Sequence, residues 1–398
     1  MTQNRADLEP IGLGIVGLGM AGAVMVHAAA AHPDFILRGA ADPHQGPRKA
    51  FARDHNARSY EDVKMLVKDP AVHAVYIATP HQFHAPHAIL AAEHGKHIIL
   101  EKPMALTLAE CDAIIAAVER HNVHLIVGHT HAFDPAVRLM REIIARGELG
   151  RLGLIHSLNY TNFLYRPRRP EELDTAQGGG ILFNQVPHQI DTARLLAGGI
   201  VRSVRAQVSV LDPSRPTEGS CAALLQFDKG AAASLVYSGY DHFDSDEWHF
   251  SLSERGAPKQ IAHGAARRTL AAAQDETRAR TETFAYGSAS SGLPPHQPHF
   301  GVTIVTCADG DMRASADGIT VYDRDGPREI RITRGGSMPG RREVLDDMRL
   351  AIRTGQRPVH DGRWGKATVE VALAILRSAR DGHDVALEHQ VAVDGLRG

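Results

Sequence analysis

The sequence predicts an α/β protein: an N-terminal Rossmann domain with a doubly wound parallel sheet, then an α+β domain with an open, mainly antiparallel sheet. Short apolar runs alternate with Ala-rich helical segments through the first third of the chain, as in parallel sheets whose strands are joined by helices. A glycine-rich turn follows the first apolar run. The rest of the chain carries closely spaced strand patterns separated by short turns. We place the two domains at residues 1–132 and 133–398.

The composition excludes several classes of protein. The 398 residues include 44 Lys and Arg against 46 Asp and Glu, so there is no basic excess for binding nucleic acid. No apolar stretch approaches the roughly 20 residues of a membrane-spanning helix, and the polar N-terminus shows no signal peptide. The three cysteines are far apart, with neither a disulfide pattern nor a zinc spacing. We therefore expect a cytoplasmic enzyme without membrane or nucleic-acid partners.

The N-terminal elements follow from the alternation of apolar and Ala-rich runs. The predicted strands are 11–16, 35–41, 72–78, 97–100 and 124–127. The predicted helices are 23–31, 85–94 and 108–121.

The glycine-rich turn has the spacing of a dinucleotide-binding fingerprint. It consists of Gly17, Gly19 and Gly22, with Met20 and Ala21 between the last two glycines. These glycines allow a tight turn, a close approach to a pyrophosphate and close packing of strand and helix. The helix N-terminus then directs its amide groups at the phosphates.

Cofactor selectivity is predicted from Asp42, which ends the second strand about 20 residues after the last glycine. A carboxylate there accepts hydrogen bonds from ribose hydroxyls and repels a 2′-phosphate. We therefore predict NAD as the cofactor, with NADP as the alternative if Arg48 folds inward. A carboxylate that only caps the turn at Pro43 is the structural alternative.

Two further loops follow strands of the predicted sheet. Thr79 and Pro80, with His84, come after one strand, and Glu101, Lys102 and Pro103 come after the next. Open α/β sheets bind ligands at the carboxyl ends of their strands. Lys102 can hydrogen-bond a substrate oxygen or move a proton there. A surface lysine paired with Glu101 is the alternative.

Together with Gly178-Gly179-Gly180, His188 and Asp191, these motifs resemble the Gfo/Idh/MocA family of nicotinamide oxidoreductases. The resemblance implies a Rossmann domain, an open-sheet domain and hydride transfer at a carbinol carbon, with Lys102 and His188 in the catalytic centre. It also implies cofactor contacts at Thr79, Pro80, His84, Glu101 and Lys102. Subunits of this family commonly pair through the open sheet face, so we expect a homodimer or homotetramer.

A narrower resemblance follows from departures from the family pattern. Asn184 stands where the family usually has Asp, and Asn cannot accept a proton as a base; Ala132 stands where Arg is frequent. The segments 129–134, 163–173 and 184–189 resemble the phthalate dihydrodiol dehydrogenase branch. That resemblance implies oxidation of a carboxylated cyclic diol to a catechol.

The predicted substrate-binding residues fit a dicarboxylate. Arg166, Arg168 and Arg169 lie in a proline-stiffened loop, and guanidinium groups bind carboxylates bidentately. The alternative is a solvated loop whose arginines pair with Glu171 and Glu172. The remaining predicted contacts are His129, His131, Asn184, Gln185 and His188. No Cys or carboxylate stands at a ligand spacing from the paired histidines, so we predict no metal.

Either Lys102 or His188 could be the catalytic base. A histidine titrates near working pH without perturbation, whereas a lysine requires a lowered pKa. Substrate carboxylates would raise the pKa of Lys102, which favours His188 as the base and Lys102 as a hydrogen-bond donor. The competing functions are a sugar or inositol dehydrogenase, and a non-catalytic nicotinamide-binding sensor, which Asn184 keeps open.

The second domain is predicted from strands at 152–160, 201–210, 221–227, 231–240, 251–252, 301–308, 310–314 and 318–322, with helices at 188–196 and 366–380. Residues 255–300 are polar and rich in small side chains, notably at 287–292. We predict a mobile lid or a disordered insertion there. Its end, His296 to His299, could return to the active site.

Overall fold

The computed structural model of the chain describes residues 9–273, 275–284, 286, 293–333 and 338–393. Two sheets form its framework, one of six strands and one of nine. Among the described residues, no helix combines the length and apolarity needed to cross a membrane.

The six-stranded sheet confirms the predicted doubly wound architecture. Its strands are β1 (Ile11–Val16), β2 (Phe35–Ala41), β3 (Arg58–Tyr60), β4 (Ala74–Ile77), β5 (His97–Leu100) and β6 (Leu125–Val127). Their order is β3-β2-β1-β4-β5-β6, and every pair is parallel. The sequence analysis missed β3, because this strand is short and polar and lies at the sheet edge.

Five helices lie between these strands in the sequence: α1 (Met20–Ala30), α2 (Gln45–His55), α3 (Val63–Val67), α4 (His84–Glu93) and α5 (Leu108–Arg120). Helix α1 begins three residues earlier than predicted, directly after Gly19. A Cβ atom at Gly22 would lie 1.9 Å from the carbonyl oxygen of Gly17. Only glycine therefore allows α1 to pack this closely on the turn.

The nine-stranded sheet is mainly antiparallel, as predicted. Its strands are β7 (Leu152–Tyr160), β8 (Val201–Ser209), β9 (Ser220–Phe227), β10 (Ala232–Ser238), β11 (Val302–Cys307), β12 (Gly310–Ala314), β13 (Gly318–Asp323), β14 (Gly326–Arg331) and β15 (Val385–Ala386). Strands β7 and β10 form its one parallel pair within the described residues. The predicted strand at 251–252 is wrong, since Leu252 forms only an isolated bridge with Pro258.

The remaining helices are α6 (Pro135–Arg146), α7 (Gly180–Asn184), α8 (Val186–Ala197), α9 (Ala265–Ala272), α10 (Glu276–Phe284), α11 (Arg341–Thr354) and α12 (Gly362–Asp381). Helices α8 and α12 contact the nine-stranded sheet, and α12 also contacts β6 of the parallel sheet. Helix α12 thus contacts both sheets and packs between them.

The described parts of residues 255–300 are anchored to the rest of the chain. They include α9 and α10, and Gln297 and His299 at their end are buried. The carboxylate of Glu276 accepts a hydrogen bond from the backbone N–H of Arg168 at 2.6 Å. Tyr286 is buried beside Phe51 and donates its backbone N–H to the carbonyl of Leu18 at 3.1 Å. Residues 287–292, singled out in the sequence, lie outside the described residues.

Candidate active site

A cleft with an empty volume of about 840 Å³ lies where the carboxyl ends of the parallel strands face the second sheet's loops. Nine predicted site residues line it: Met20, Ala21, Glu101, Lys102, His129, His131, Arg166, Gln185 and His188. Four charged residues that the sequence analysis did not assign also line it: Asp134, Glu254, Arg255 and Arg341.

The glycine turn forms a cradle that fits a dinucleotide phosphate. A Cβ atom added at Gly19 would meet nothing within 4 Å, so open space lies beside the start of α1. Met20 and Ala21 begin that helix and line the cleft. Because the first amide groups of a helix have no partner within it, they can donate to an anion placed there.

Asp42 lies beside this turn at the end of β2. One carboxylate oxygen accepts the backbone N–H of Leu18 at 2.8 Å, and the other accepts that of His44 at 2.8 Å. Arg48 donates to the carbonyl oxygens of Asp42 and Pro43 at 2.6 and 2.8 Å. Asp42 therefore fixes the turn, and each of its oxygens keeps a lone pair for a further donor.

Lys102 follows β5 and points into the cleft. Its Nζ donates to the carbonyl oxygen of Asn184 at 2.5 Å. Burial lowers the pKa of Lys102, although Glu101 partly opposes the shift. The sequence-based prediction of a raised pKa concerns the complex with a substrate carboxylate and stays a prediction. Lys102 therefore loses its proton more readily than an exposed lysine does.

Glu101 is an anchor between the two loops that carry Lys102 and His129. Its carboxylate accepts hydrogen bonds from the Tyr76 hydroxyl and from the backbone N–H of Lys102. Burial alone would raise the pKa of Glu101, but Arg341 and Lys102 outweigh burial and lower it. Glu101 is therefore a carboxylate that balances one positive charge of the cleft.

His188, near the start of α8, is a neutral imidazole. Burial, reinforced by Lys102, holds its pKa well below the ordinary value. Its Nδ1 is buried and has no hydrogen-bond partner in the part of the chain that the structure describes. His188 can thus accept a proton from a group in the cleft.

His131 is an imidazolium held between two carboxylates. Its Nδ1 lies 2.6 Å from Asp134 Oδ2, and its Nε2 lies 3.3 Å from Glu254 Oε1. Burial alone would lower the pKa of His131, but Asp134 outweighs burial and raises it to about 9. His131 begins a short 3-10 helix, His131–Phe133, which follows β6.

His129 differs from its neighbour in charge. Burial and the nearby Arg341 lower its pKa to about 4, so its ring is neutral. The rings of His129 and His131 are 5.3 Å apart, and the ring of His131 is 4.9 Å from that of His188. The three histidines therefore form one wall of the cleft, with one positive charge among them.

The predicted cofactor contact at His84 needs correction. His84 is fully buried, and its ring nitrogens lie 2.7 Å from the carbonyl oxygen of Pro103 and 3.0 Å from that of Thr79. Thr79 Oγ1 in turn lies 3.2 Å from the ring of His87. His84 thus ties together the loops after β4 and β5, where Thr79 and Pro80 remain half-buried.

Only one arginine of the predicted carboxylate-binding loop reaches the cleft. Arg166 lines it and donates to the side chain of Asn162 at 2.8 Å. Arg168 instead stacks on the ring of Phe163 at 3.7 Å and donates to that residue's carbonyl oxygen. Arg169 lies 3.1 Å from a Glu171 oxygen. The predictions for Arg168 and Arg169 therefore need correction, because both side chains already have partners elsewhere.

Asn184 is also turned away from the cleft. Its amide nitrogen donates to the carbonyl oxygens of Gly178 and Gly180 at 3.2 and 2.8 Å. The Asn184 side chain therefore stabilises the triple-glycine turn, while its backbone carbonyl oxygen accepts the hydrogen bond from Lys102 Nζ. Gln185 lines the cleft and accepts a hydrogen bond from Tyr237 at 3.2 Å.

Nothing local in the sequence pointed to Glu254, Arg255 or Arg341. The spacing of His131 and Asp134 could have suggested an ion pair, since residues three apart meet in a helical turn. Within the described residues, no group of three or more His, Cys, Asp and Glu side chains could hold a metal ion.

Comparisons with known proteins agree with this fold. The model of the NAD-binding Rossmann fold of the Gfo/Idh/MocA oxidoreductases matches residues 11–129, and the model of their C-terminal domain matches 137–254. The chain is 39% identical over 380 residues to 1-carboxy-3-chloro-3,4-dihydroxycyclohexa-1,5-diene dehydrogenase of Comamonas testosteroni, with 92% of this chain and 94% of the relative covered.

Two further proteins are similar to this chain. A crystal structure from Bordetella bronchiseptica RB50, assigned as a dehydrogenase, has a TM-score of 0.92 and 46% identity, covering 95% of this chain and 100% of that one. The scyllo-inositol 2-dehydrogenase (NAD(+)) of Bacillus subtilis is 31% identical over 52% of this chain and 60% of its own length. The chain belongs to the Gfo/Idh/MocA family of oxidoreductases. It is an NAD(P)-dependent dehydrogenase.

Proposed function

We propose that the protein oxidises a carboxylated cyclic diol, taking hydride from a carbinol carbon with NAD as acceptor. The charge balance around the catalytic pair carries this proposal. Five cationic groups line the cleft (Lys102, His131, Arg166, Arg255 and Arg341) against three carboxylates (Glu101, Asp134 and Glu254), which leaves two positive charges in excess. A neutral polyol would leave this excess uncompensated, whereas a dicarboxylate would balance it.

The relatives support the same substrate class. The Comamonas testosteroni relative is named for a substrate with one carboxyl group and two hydroxyl groups on an unsaturated ring. This chain matches nearly the whole length of that protein, whereas the inositol dehydrogenase matches only about half of this chain. We propose a phthalate-type dihydrodiol with two carboxylates, because the charge excess in the cleft is two.

The residues of the cleft provide a path for the proton. His188 accepts the proton of the reacting hydroxyl, because its imidazole is neutral and its Nδ1 has no partner among the described residues. Lys102 donates a hydrogen bond to the same oxygen and fixes its position, since Asn184 and Glu101 hold the lysine in place. The nicotinamide ring, when bound, supplies the acceptor for the hydride. The ketone product then tautomerises to a catechol.

We further propose NAD as the cofactor and a cytoplasmic homodimer or homotetramer as the assembly. Asp42 supports NAD because its carboxylate would repel a 2′-phosphate. The sheet face away from α8 and α12 supports an oligomer, because Leu224 is 42% exposed there. Trp248 and Phe250, outside the sheet, are each about half exposed. We propose that these apolar side chains become buried in subunit contacts.

A turnover assay with a substrate panel tests the proposal. NAD and NADP are each combined with a phthalate cis-dihydrodiol, its monocarboxylated and uncharged analogues, and scyllo-inositol. We expect the highest kcat/KM with NAD and a carboxylated diol, and little turnover by His188→Asn with NAD affinity retained. A higher kcat/KM for scyllo-inositol than for every carboxylated diol would overturn the substrate assignment.

A further inference from the structure

We propose that Arg341 is the residue that selects the substrate, by binding one of its carboxylates beside the reacting carbon. This inference rests on the proposed function, because it concerns the same cleft. Arg341 lies far in the sequence from every motif of the family, at the first position of α11.

A rigid element holds Arg341 in the cleft. Helix α11 packs on α1 through Val344, Leu345 and Met348, all fully buried. Gly340 precedes the helix with a φ of +78°, and a Cβ atom there would lie 2.4 Å from His129 Nε2. Glycine thus allows the helix start to approach the histidine wall. Arg341 is therefore positioned by packing and not by a free loop.

Arg341 acts electrostatically on the catalytic centre. Its positive charge contributes to lowering the pKa of Glu101, Lys102, His129 and His188. Arg341 also lines the same cleft as these four residues. A carboxylate bound to Arg341 would consequently lie in the cleft that also holds the carbon whose oxygen contacts Lys102 and His188.

The guanidinium of Arg341 is available to a ligand. Its Nε is buried and has no hydrogen-bond partner among the residues that the structure describes. Other arginines at α11 pair with carboxylates: Arg138 with Asp347, and Arg342 with Asp346. A buried donor without a partner lowers the stability of the folded protein. A substrate carboxylate would accept the hydrogen bond that Arg341 Nε does not make within the described residues.

The inference explains how the cleft would reject neutral polyols. A site built to bind a charged group excludes an analogue that lacks it, because the guanidinium, whose Nε is buried, then remains unpaired. Arg166 lies in a different loop of the cleft and would bind the second carboxylate of a dicarboxylate. The ring would then lie between the two arginines, with its hydroxyl groups toward Lys102 and His188.

Arg341→Met and Arg342→Met form a matched pair for the test. Both remove one guanidinium from the first turn of α11, but Arg342 pairs with Asp346 and does not line the cleft. A charge-assisted hydrogen bond contributes enough for a roughly ten- to hundredfold change in affinity. We expect Arg341→Met to raise KM for the carboxylated diol, relative to KM for the uncharged analogue, by about that factor. Arg342→Met should match the unaltered protein, and Arg341→Lys should recover part of the loss.

A binding measurement separates this inference from the proposed function. Phthalate is titrated into the NADH complex of each variant, so that turnover is not required. Weaker phthalate binding in Arg341→Met alone supports the carboxylate site, even if the unaltered protein oxidises no diol in the panel. Equal phthalate binding and equal KM values in Arg341→Met and Arg342→Met overturn the assignment. Thermal unfolding with and without NADH confirms that each variant is folded, and Arg341→Gln replaces the Met variant if it is not.

Discussion

Because of the buried ion pair at His131, we expect the protein to lose stability as the pH becomes alkaline. The folded state holds the proton of His131 up to a pKa of about 9, because Asp134 outweighs the effect of burial. The unfolded chain loses that proton near pH 6.5. Between these values the folded state binds more protons, so the free energy of unfolding falls as pH rises. Stabilisation is complete below pH 6.5 and is lost as pH rises through about 9.

The size of this effect follows from the shift. A rise of about 2.5 pKa units corresponds to roughly 3 kcal/mol over the whole range, of which about 2 kcal/mol falls between pH 7 and 8.5. Urea-induced unfolding at a series of pH values measures the change. His131→Gln is the control, because it lacks the titrating group while the other histidines and the cysteines remain. If the two proteins lose equal stability across this window, the imidazolium assignment is refuted.

Three further outcomes are expected. Asp42→Ala should raise the ratio of kcat/KM with NADP to kcat/KM with NAD by about tenfold or more, because a repelling carboxylate is removed; an unchanged ratio would show that Arg48 controls selectivity. The acid limb of kcat/KM should lie below pH 6.5, because burial lowers the pKa of His188; an acid limb at pH 7 would contradict His188 as the base. Arg194→Met should lower the free energy of unfolding by roughly 1–3 kcal/mol, because the buried guanidinium donates to the carbonyl oxygen of Trp364 and to the hydroxyl of Thr368, and both acceptors lose that donor; unchanged stability in urea unfolding would argue against these hydrogen bonds.

The elements that the sequence predicts well are those with a local signal. Strand β1 has the predicted bounds, Ile11–Val16, because a buried parallel strand is an unbroken apolar run between polar residues. The turn after it depends on glycines whose spacing is itself the signal. Strand β14 (Gly326–Arg331) was missed because it is polar and largely exposed, so no apolar alternation marks it.

Residues of the site could be predicted from the sequence only where they belong to a recognisable motif. Lys102 and His188 follow recognisable strings, and the structure brings both to one cleft. Arg168 was misassigned because its residue type and loop suit a carboxylate equally well, whereas its stacking on Phe163 depends on three-dimensional packing. Arg341 reaches the cleft through the docking of α11 on α1, a long-range contact that no local pattern encodes.

The position of Asp42 constrains how cofactor preference can change in this protein. The same carboxylate that we propose faces the ribose also accepts hydrogen bonds from the N–H groups of Leu18 and His44. In this proposal, selectivity and the shape of the phosphate cradle depend on one side chain. A single replacement that admits a 2′-phosphate also loosens the turn that binds the pyrophosphate. A switch of coenzyme would thus require at least two linked substitutions, one to accommodate the added phosphate and one to restore the lost backbone anchors.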